Sequence, residues 1–379
     1  MRRQLLVVVL VVAIAILWRP FLRPVGAGAI LVADIYSSAL WDRNLAQYIT
    51  PLPVVIGTRE SFGGVEMRVT WWRPGWGDRH PGLMVVNGAT ALGNDDPETT
   101  RLAEALARAG YLVMLPEFPF IREGTLEPRA AAIIDAAFAR LLSHPDSRGM
   151  PVGAFGFSVG GGMLLAAAGR YEALARAAYV GALGAYYDID TYLASVVTRT
   201  QVRAGASAAW DPDPRARQRL PLAAAAVISD PRDRALLEEE LRAHDGRTET
   251  DPPNEIGTEA GSLWRALGAT DYDVALARLR GLPPTMRTVF DDLSPRANWA
   301  DIRAPVFWLH DEGDRFEPLS EAETAAAKPH AGPTRFQRTA LLSHAAAMAT
   351  GSKEKGLDFW ATELTGLLLF AAAALGAGG

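Results

Sequence analysis

The sequence predicts an α/β fold in which a mostly parallel central sheet is flanked by helices. From about residue 53 onward, short β-rich runs alternate with helical runs, a pattern typical of βαβ units. Apolar residues make up 49% of the chain and charged residues 21%, so a sizeable core can be buried and global disorder is excluded. The length of 379 residues exceeds one minimal domain and fits an α/β core with an insertion.

The individual elements follow from apolar runs and from the residues that interrupt them. Strands are predicted at 65–73, 82–87, 111–115, 152–157, 178–183, 302–309 and 336–341. Asp96 before Pro97 predicts a helix start, because the carboxylate can cap the helix and proline lacks only an N–H that has no partner there. Further helices are predicted at 129–142, 161–169 and 358–375. The last of these is interpreted as a packing helix, since Glu363 interrupts it and it follows the last strand.

The alternation of strands and helices stops after Tyr187 and resumes near residue 300. The stretch between contains proline and aspartate clusters around helical runs such as 234–244, and it shows no clear strand. We therefore predict a core in two parts, residues 53–187 and 299–379, with residues 188–298 as a mainly helical cap inserted between them.

The N-terminal segment, residues 1–45, is predicted to be a membrane anchor. Arg2 and Arg3 precede a charge-free run, Leu5–Trp18, and a second apolar run, Val25–Trp41, carries Asp34. The first run is shorter than the roughly 17 to 25 residues of an ordinary span, so a cleaved signal peptide and a buried or interfacial helix remain alternatives. A retained signal anchor favours an extracytoplasmic enzyme, whereas a transmembrane hairpin of both runs would leave it in the cytoplasm.

Composition and motif spacing exclude several classes of function. The net charge of −5 leaves no basic surplus for a nucleic acid partner, and the absence of cysteine excludes disulfides, thiolate metal sites and a cysteine nucleophile. No H-E-x-x-H or H-x-x-x-H pattern occurs, and the glycines at 153–162 match neither G-x-G-x-x-G nor a P-loop. We therefore expect no metal and no cofactor.

The strongest local signal is the pentapeptide Gly156-Phe157-Ser158-Val159-Gly160, between a predicted strand and a glycine-rich and alanine-rich helix. This is the nucleophile elbow, a strained turn that exposes a serine hydroxyl while the flanking glycines avoid collisions with neighbouring backbone. The helix N-terminus would direct free N–H groups toward a developing oxyanion. Ser158 is the candidate nucleophile.

A serine hydroxyl is a weak nucleophile at neutral pH and needs a base, which a carboxylate must orient. The chain has six histidines. His344 follows the last predicted strand, in a loop that can reach the carboxyl edge of the sheet and therefore Ser158. We select His344 as the base on this chain order.

The segment Phe307-Trp308-Leu309-His310-Asp311-Glu312-Gly313-Asp314 carries a family resemblance. It is similar to the strand end of α/β-hydrolases, in which a histidine after an apolar run is followed four positions later by the catalytic aspartate, and Pro318 also matches. The resemblance makes Asp314 the acid. Asp311 stands where the family usually has glycine and is the reserve acid. Glu312 and Glu317 are interpreted as solvated loop carboxylates.

The resemblance, which covers 53–187 and 300–375, also implies an oxyanion hole and an activity. The N–H of Val159 is one donor, and the loop Asn87-Gly88-Ala89 supplies the second, Ala89 or alternatively Gly88. The general likeness is to dienelactone-hydrolase-like and related esterase or peptidase branches. It implies cleavage of a small-molecule ester, or an amide, through an acyl-enzyme. The alternatives are an acyltransferase with the same triad and a catalytically silent, membrane-tethered binding module.

Overall fold

The fold is built on an eight-stranded sheet. The computed structural model describes residues 23–41, 45–344 and 354–377. The strand order is β1-β2-β4-β3-β5-β6-β9-β10, and only β2 runs against the other seven. The strands are β1 (Val54–Phe62), β2 (Val65–Arg73), β3 (Gly82–Val86), β4 (Leu112–Pro116), β5 (Val152–Phe157), β6 (Val180–Leu183), β9 (Val306–Asp311) and β10 (Thr334–Thr339).

Local sequence explains why the sheet begins as a hairpin and continues as parallel strands. Gly63 and Gly64 both adopt positive φ between β1 and β2, the conformation that a two-residue hairpin turn requires. The later strands are separated by helices, and their pairs from β3 to β10 are parallel. The carboxyl ends of β3, β5, β6 and β9 therefore meet at one edge of the sheet, and the loops that leave this edge carry the site described below.

Thirteen helices lie within the described residues. They are α1 (Arg23–Trp41), α2 (Pro97–Arg108), α3 (Pro119–Glu123), α4 (Ala130–Leu142), α5 (Ser158–Ala168), α6 (Ile189–Thr198), α7 (Pro214–Ala225), α8 (Pro231–Ala243), α9 (Thr258–Leu267), α10 (Tyr272–Arg280), α11 (Pro284–Leu293), α12 (Leu319–Ala326) and α13 (Leu357–Gly376). The Asp96 carboxylate caps α2 by accepting the N–H groups of Glu98 and Thr99, as predicted.

Two apolar clusters cover the two faces of the sheet. Helices α4 and α5 pack on one face, where Ile134, Phe138 and Leu164 are fully buried. Helices α1, α2 and α13 cover the other face, against the opposite side chains of the same strands, among them Val85 and Leu309. Because side chains alternate along a strand, β3, β4, β5, β6 and β9 each contribute to both clusters, which explains why these strands carry no charged residue before their carboxyl ends.

Helices α1 and α13 form an antiparallel pair. Pro24 lies beside Gly376, and the ring of Tyr36 meets that of Trp360 edge to face at 6.4 Å. Midway, a Cβ on Gly28 would stand 3.0 Å from the backbone of Ala372, so glycine permits the close approach. Asp34, 2% exposed, accepts the N–H of Ala46. The second apolar run therefore packs on the core.

The predicted N-terminal anchor is not shown by the structure. Its first run, Leu5–Trp18, lies outside the described residues. Among the residues that are described, one helix, α13, is long and apolar enough to cross a membrane, a test that core helices of soluble proteins also pass. The Glu363 carboxylate on α13 accepts hydrogen bonds from the hydroxyl of Thr339 and the N–H of Ala340, which fixes this helix to the last strand.

Between β6 and β9 the chain forms helices α6 to α11 and one hairpin. The hairpin, β7 (Thr200–Arg203) and β8 (Ala206–Ala209), corrects the expectation that this stretch has no strand. Its turn uses Ala204 and Gly205 at positive φ, without the asparagine or aspartate that usually signals such a turn. After the hairpin, the indole N–H of Trp210 donates to the carbonyl oxygen of Asp314 at 2.9 Å, so this insertion contacts the loop that follows β9.

Candidate active site

Ser158 lies at the sharp turn between β5 and α5 that the elbow pattern predicts. Its φ of +53° is a left-handed conformation that costs a non-glycine residue energy. A Cβ at Gly156 would come within 2.6 Å of the Cα of Gly161, and a Cβ at Gly160 within 2.1 Å of the carbonyl oxygen of Asn87. Both flanking glycines are therefore required, because strand, helix and the loop after β3 approach one another closely around the serine.

Two of the residues predicted to supply oxyanion donors, Val159 and Gly88, lie next to Ser158. Val159 is in the first turn of α5, where backbone N–H groups have no partner within the helix. Gly88 lies against the serine, since a Cβ there would be 3.1 Å from the Cβ of Ser158. The carbonyl oxygen of Ala89 accepts a hydrogen bond from Arg219 of α7. The loop after β3 and the turn between β5 and α5 thus meet at Ser158.

His344 and Asp314 form a hydrogen-bonded pair. The Nδ1 of His344 lies 2.8 Å from Oδ2 of Asp314, whose other oxygen accepts the N–H groups of Phe316 and Glu317. Gly184, at the end of β6, leaves room for the pair, because a Cβ there would be 2.9 Å from Oδ2 of Asp314 and 3.0 Å from Nδ1 of His344. These contacts fix the imidazole with its Nδ1–H directed at a carboxylate that is 4% exposed.

Asp311, the reserve acid, contacts the backbone of His344 instead of its ring. One carboxylate oxygen accepts the N–H of His344 at 3.1 Å, and the other accepts the N–H of Gly313. His344 has a φ of +51°, an uncommon conformation for histidine that a hydrogen bond from its own N–H helps to hold. Asp311 therefore positions the residue that carries the imidazole, and Asp314 orients the imidazole itself.

Glu317 corrects the expectation of a solvated loop carboxylate. Its side chain is fully buried, and its Oε1 accepts a hydrogen bond from the hydroxyl of Ser158 at 2.7 Å. Its Oε2 lies 3.3 Å from Nδ1 of His344. Within the described residues no hydrogen bond joins Ser158 to His344, so the carboxyl of Glu317 bridges them. Glu312, by contrast, is exposed as expected.

Burial and charge together set the ionisation of these groups. Burial raises the pKa of Glu317 to about 8, helped by the nearby Asp314. Burial would lower the pKa of His344, but the carboxylates of Asp314 and Glu317 outweigh it and raise this pKa to about 9. Burial would raise the pKa of Asp314, yet His344 more than compensates and the pKa falls below its ordinary value. The site favours an Asp314 carboxylate paired with a cationic imidazole.

The same three side chains have the spacing of a cation site. The ligand atoms of Asp314, Glu317 and His344 lie within 4.8 Å of one another. Sequence spacing could not reveal this cluster, because it forms only when the loops after β9 and β10 meet. An ion bound to Nδ1 of His344 would replace the proton that Asp314 accepts, so metal binding and the hydrogen-bonded pair are mutually exclusive uses of this nitrogen.

A cavity of about 750 Å³ opens at the nucleophile. Near the serine it is lined by Gly88, Ala89, Glu317 and His344, and by Arg215 and Leu220 of α7. The ring of Phe316 stacks on His344 with centroids 4.6 Å apart, and the guanidinium of Arg215 lies over Phe316 at 4.8 Å. The cavity continues over the carboxyl edge of the sheet to the side chains of α1 and α13.

The comparisons with known proteins give distant structural similarity only. No family model and no curated protein matches the sequence. A dienelactone hydrolase from Anabaena variabilis is 14% identical with a TM-score of 0.42, and the match covers 85% of this chain and 97% of that one. Brefeldin A esterase, described as a bacterial homologue of human hormone-sensitive lipase, is 17% identical with a TM-score of 0.46, and 93% of this chain and 86% of that one are covered.

An acylaminoacyl peptidase from Pyrococcus horikoshii is 12% identical with a TM-score of 0.49. That match covers 87% of this chain but 42% of the peptidase, so the chain corresponds to less than half of that enzyme. These similarities are too distant to transfer a substrate. The chain's own strand order, its one reversed strand and the strained serine between β5 and α5 identify it as a protein of the α/β-hydrolase fold.

Proposed function

We propose that the chain is a serine hydrolase that cleaves a carboxylic ester through an acyl-enzyme on Ser158. The single observation that carries this proposal is the convergence, in one cavity, of a strained serine and a hydrogen-bonded His344–Asp314 pair. The printed names of the similar structures, hydrolases, an esterase and a peptidase among them, agree with this reaction type. An amide substrate would use the same groups.

In the proposed reaction, neutral His344 accepts the hydroxyl proton at Nε2 as the serine oxygen attacks the carbonyl carbon. Asp314 keeps the proton of the imidazole on Nδ1 and stabilises the imidazolium that forms. The N–H groups of Val159 and of Ala89 or Gly88 stabilise the oxyanion, and the imidazolium then gives its proton to the departing alcohol. Water repeats the sequence and releases the carboxylic acid, so no cofactor enters the balance.

Glu317 holds the hydroxyl before substrate binds. Since the Ser158 hydroxyl donates to Glu317, the attack requires that this hydrogen bond be exchanged for one to Nε2 of His344. Glu317 is a second acceptor beside the base, and when ionised it favours the charged form of His344. It is therefore a positioning residue, and its ionised form opposes the neutral state of His344 that the attack requires.

The proposal is tested by covalent labelling. A fluorophosphonate probe should label the purified protein at one site, and mass spectrometry should place the adduct on the peptide that contains Ser158. Ser158→Ala should not be labelled. Labelling that survives in Ser158→Ala would place the reactive nucleophile at another residue. A folded wild type that no fluorophosphonate labels would support a silent binding module.

The acyltransferase alternative uses the same acyl-enzyme and differs in the acceptor. Analysis of the products with and without added alcohol separates the two activities.

Attachment of the domain to a membrane through Leu5–Trp18 is proposed from the sequence alone.

Replacing Glu317 by glutamine should shift the pH profile of kcat/KM to lower pH. His344 must be neutral to accept a proton, and because its pKa is raised to about 9, activity of the wild type should rise through that region. Glutamine removes one of the three carboxylates that raise this pKa, so the rising limb should move toward the ordinary histidine value of 6.5. Initial rates on a p-nitrophenyl ester between pH 5 and 10 measure the shift.

Glu312→Gln is the matched control, because Glu312 is on the same loop and exposed. Its pH profile should coincide with that of the wild type. A profile for Glu317→Gln that also coincides with the wild type would show that the buried carboxyl does not act on the base.

A further inference from the structure

We propose that the substrate is an ester of a medium-length to long unbranched acyl chain, and that the chain lies between the sheet and the α1–α13 pair. This inference rests on the proposed function, since it concerns the group that Ser158 would carry. The observation that supports it is the extent of the cavity, which reaches beyond Ser158 and His344. It continues beneath the two helices, a part that we call the helix-pair chamber.

The walls of the helix-pair chamber are apolar. Its lining comes from α1 (Leu31, Ile35), from α13 (Phe370, Ala374) and from the sheet face (Phe155, Leu309). Among the described residues that α1, α13 and the strands contribute to this lining, none carries a charge. An ionised acyl group would lose its hydration there without meeting an opposite charge, whereas an alkyl chain would be removed from water at no such cost.

The size of the cavity also indicates a ligand longer than an acetyl group. About 750 Å³ lies within the roughly 300–1,000 Å³ of cavities that enclose whole small-molecule ligands. The ionisable groups of the lining, apart from tyrosine, come from the loops around Ser158, from α7 and from the start of α2 (Asp96, Glu98 and Arg101), whereas α1, α13 and the strands contribute none. This division matches a molecule with one reactive polar end and one long apolar body.

The acyl side of the ester, and not the alcohol, is assigned to the helix-pair chamber. The alcohol must leave the site before water can attack, while the acyl group stays bonded to the serine. The helix-pair chamber therefore suits the acyl chain, and the side of the cavity near the exposed cap residues Arg215 and Arg219 suits the group that departs.

Two substitutions fill the helix-pair chamber without touching the triad. Ala371→Phe adds a ring from α13, and Leu31→Phe enlarges a side chain on α1; both residues are partly buried and line the cavity. Leu369→Phe is the matched control, because Leu369 is on α13 but is 53% exposed and does not line the cavity.

The experiment measures kcat/KM on p-nitrophenyl esters from butanoate to hexadecanoate. For the wild type we expect the value to rise by about two orders of magnitude from the butanoate to the dodecanoate, since each methylene that enters the chamber leaves water. Ala371→Phe and Leu31→Phe should lower it at least tenfold for the dodecanoate and leave the butanoate within about twofold. Leu369→Phe should match the wild type on both.

Three outcomes would overturn the inference. One is a flat chain-length profile of the wild type, and another is an equal loss on short and long esters in the filled variants. The third is a preference that follows the alcohol when acetate esters of graded alcohols are compared. Absence of all ester cleavage and of fluorophosphonate labelling would instead reject the proposed function. In that case, binding of sodium dodecanoate, measured by calorimetry, should still be lost in Ala371→Phe and kept in Leu369→Phe if the chamber holds an alkyl chain.

Discussion

His344→Ala should lower kcat for ester hydrolysis by about 10⁵-fold to 10⁶-fold, the loss typical of removing the base of a serine triad. The expected loss is large because the serine hydroxyl then has no neutral nitrogen to take its proton, and because the imidazolium that protonates the leaving alcohol is missing as well. Steady-state rates on a butanoate ester, at the pH where the wild type is most active, measure it.

This variant also decides between two acceptors of the serine proton. In the structure the hydroxyl of Ser158 donates to Glu317, so Glu317 is the competing candidate for the base. Glu317→Gln should retain hydrolysis with its shifted pH profile. Turnover that survives in His344→Ala and disappears in Glu317→Gln would reverse the roles of the two residues. The melting temperature of each variant identifies losses that come from misfolding.

Asp314→Asn should lower kcat by about 10⁴-fold while the fold is retained. The asparagine side chain is nearly isosteric, but it can present an N–H where the aspartate accepts one. The imidazole would then place its own proton on Nε2, and this nitrogen could no longer accept from the serine. The loss should appear in kcat with KM nearly unchanged, because Asp314 contacts the imidazole and not the substrate.

Asp311→Asn is the control that separates the two aspartates. Its side-chain oxygen can still accept the backbone N–H of His344 or of Gly313, so we expect a loss of about tenfold or less. A greater loss in Asp311→Asn than in Asp314→Asn would transfer the role of acid to the reserve residue.

Features that depend on neighbouring residues could be predicted from the sequence. Strand β2 has the predicted bounds because Pro74 ends it, and α2 begins where Asp96 and Pro97 predict a capped start. The elbow could also be predicted, since five consecutive residues, Gly156 to Gly160, indicate the strained serine and the need for glycine on either side of it. The pairing of His344 with Asp314 followed from chain order and the family resemblance.

The role of Glu317 could not be predicted from the sequence. Its carboxyl is buried only because the loop after β9 folds onto an elbow 159 residues earlier in the chain. On its own segment it stands among charged residues, a pattern that favours solvent exposure. The same limit applies to Gly184, whose missing side chain matters only because Asp314 and His344 meet beside it. The hairpin β7–β8 was missed for a local reason, the unusual Ala204 in its turn.

The indole of Trp210 ties the inserted segment, residues 188–298, to the loop that carries Asp314. Its hydrogen bond to Asp314 is joined by one from the N–H of Asp213 to the carbonyl of Arg315, so two successive residues of the acid loop are tied to the inserted segment. If the inserted segment moved away as a rigid body, it would pull this loop and misalign the imidazole of His344, which Asp314 holds. A displacement of the inserted segment would therefore act directly on the loop that holds Asp314.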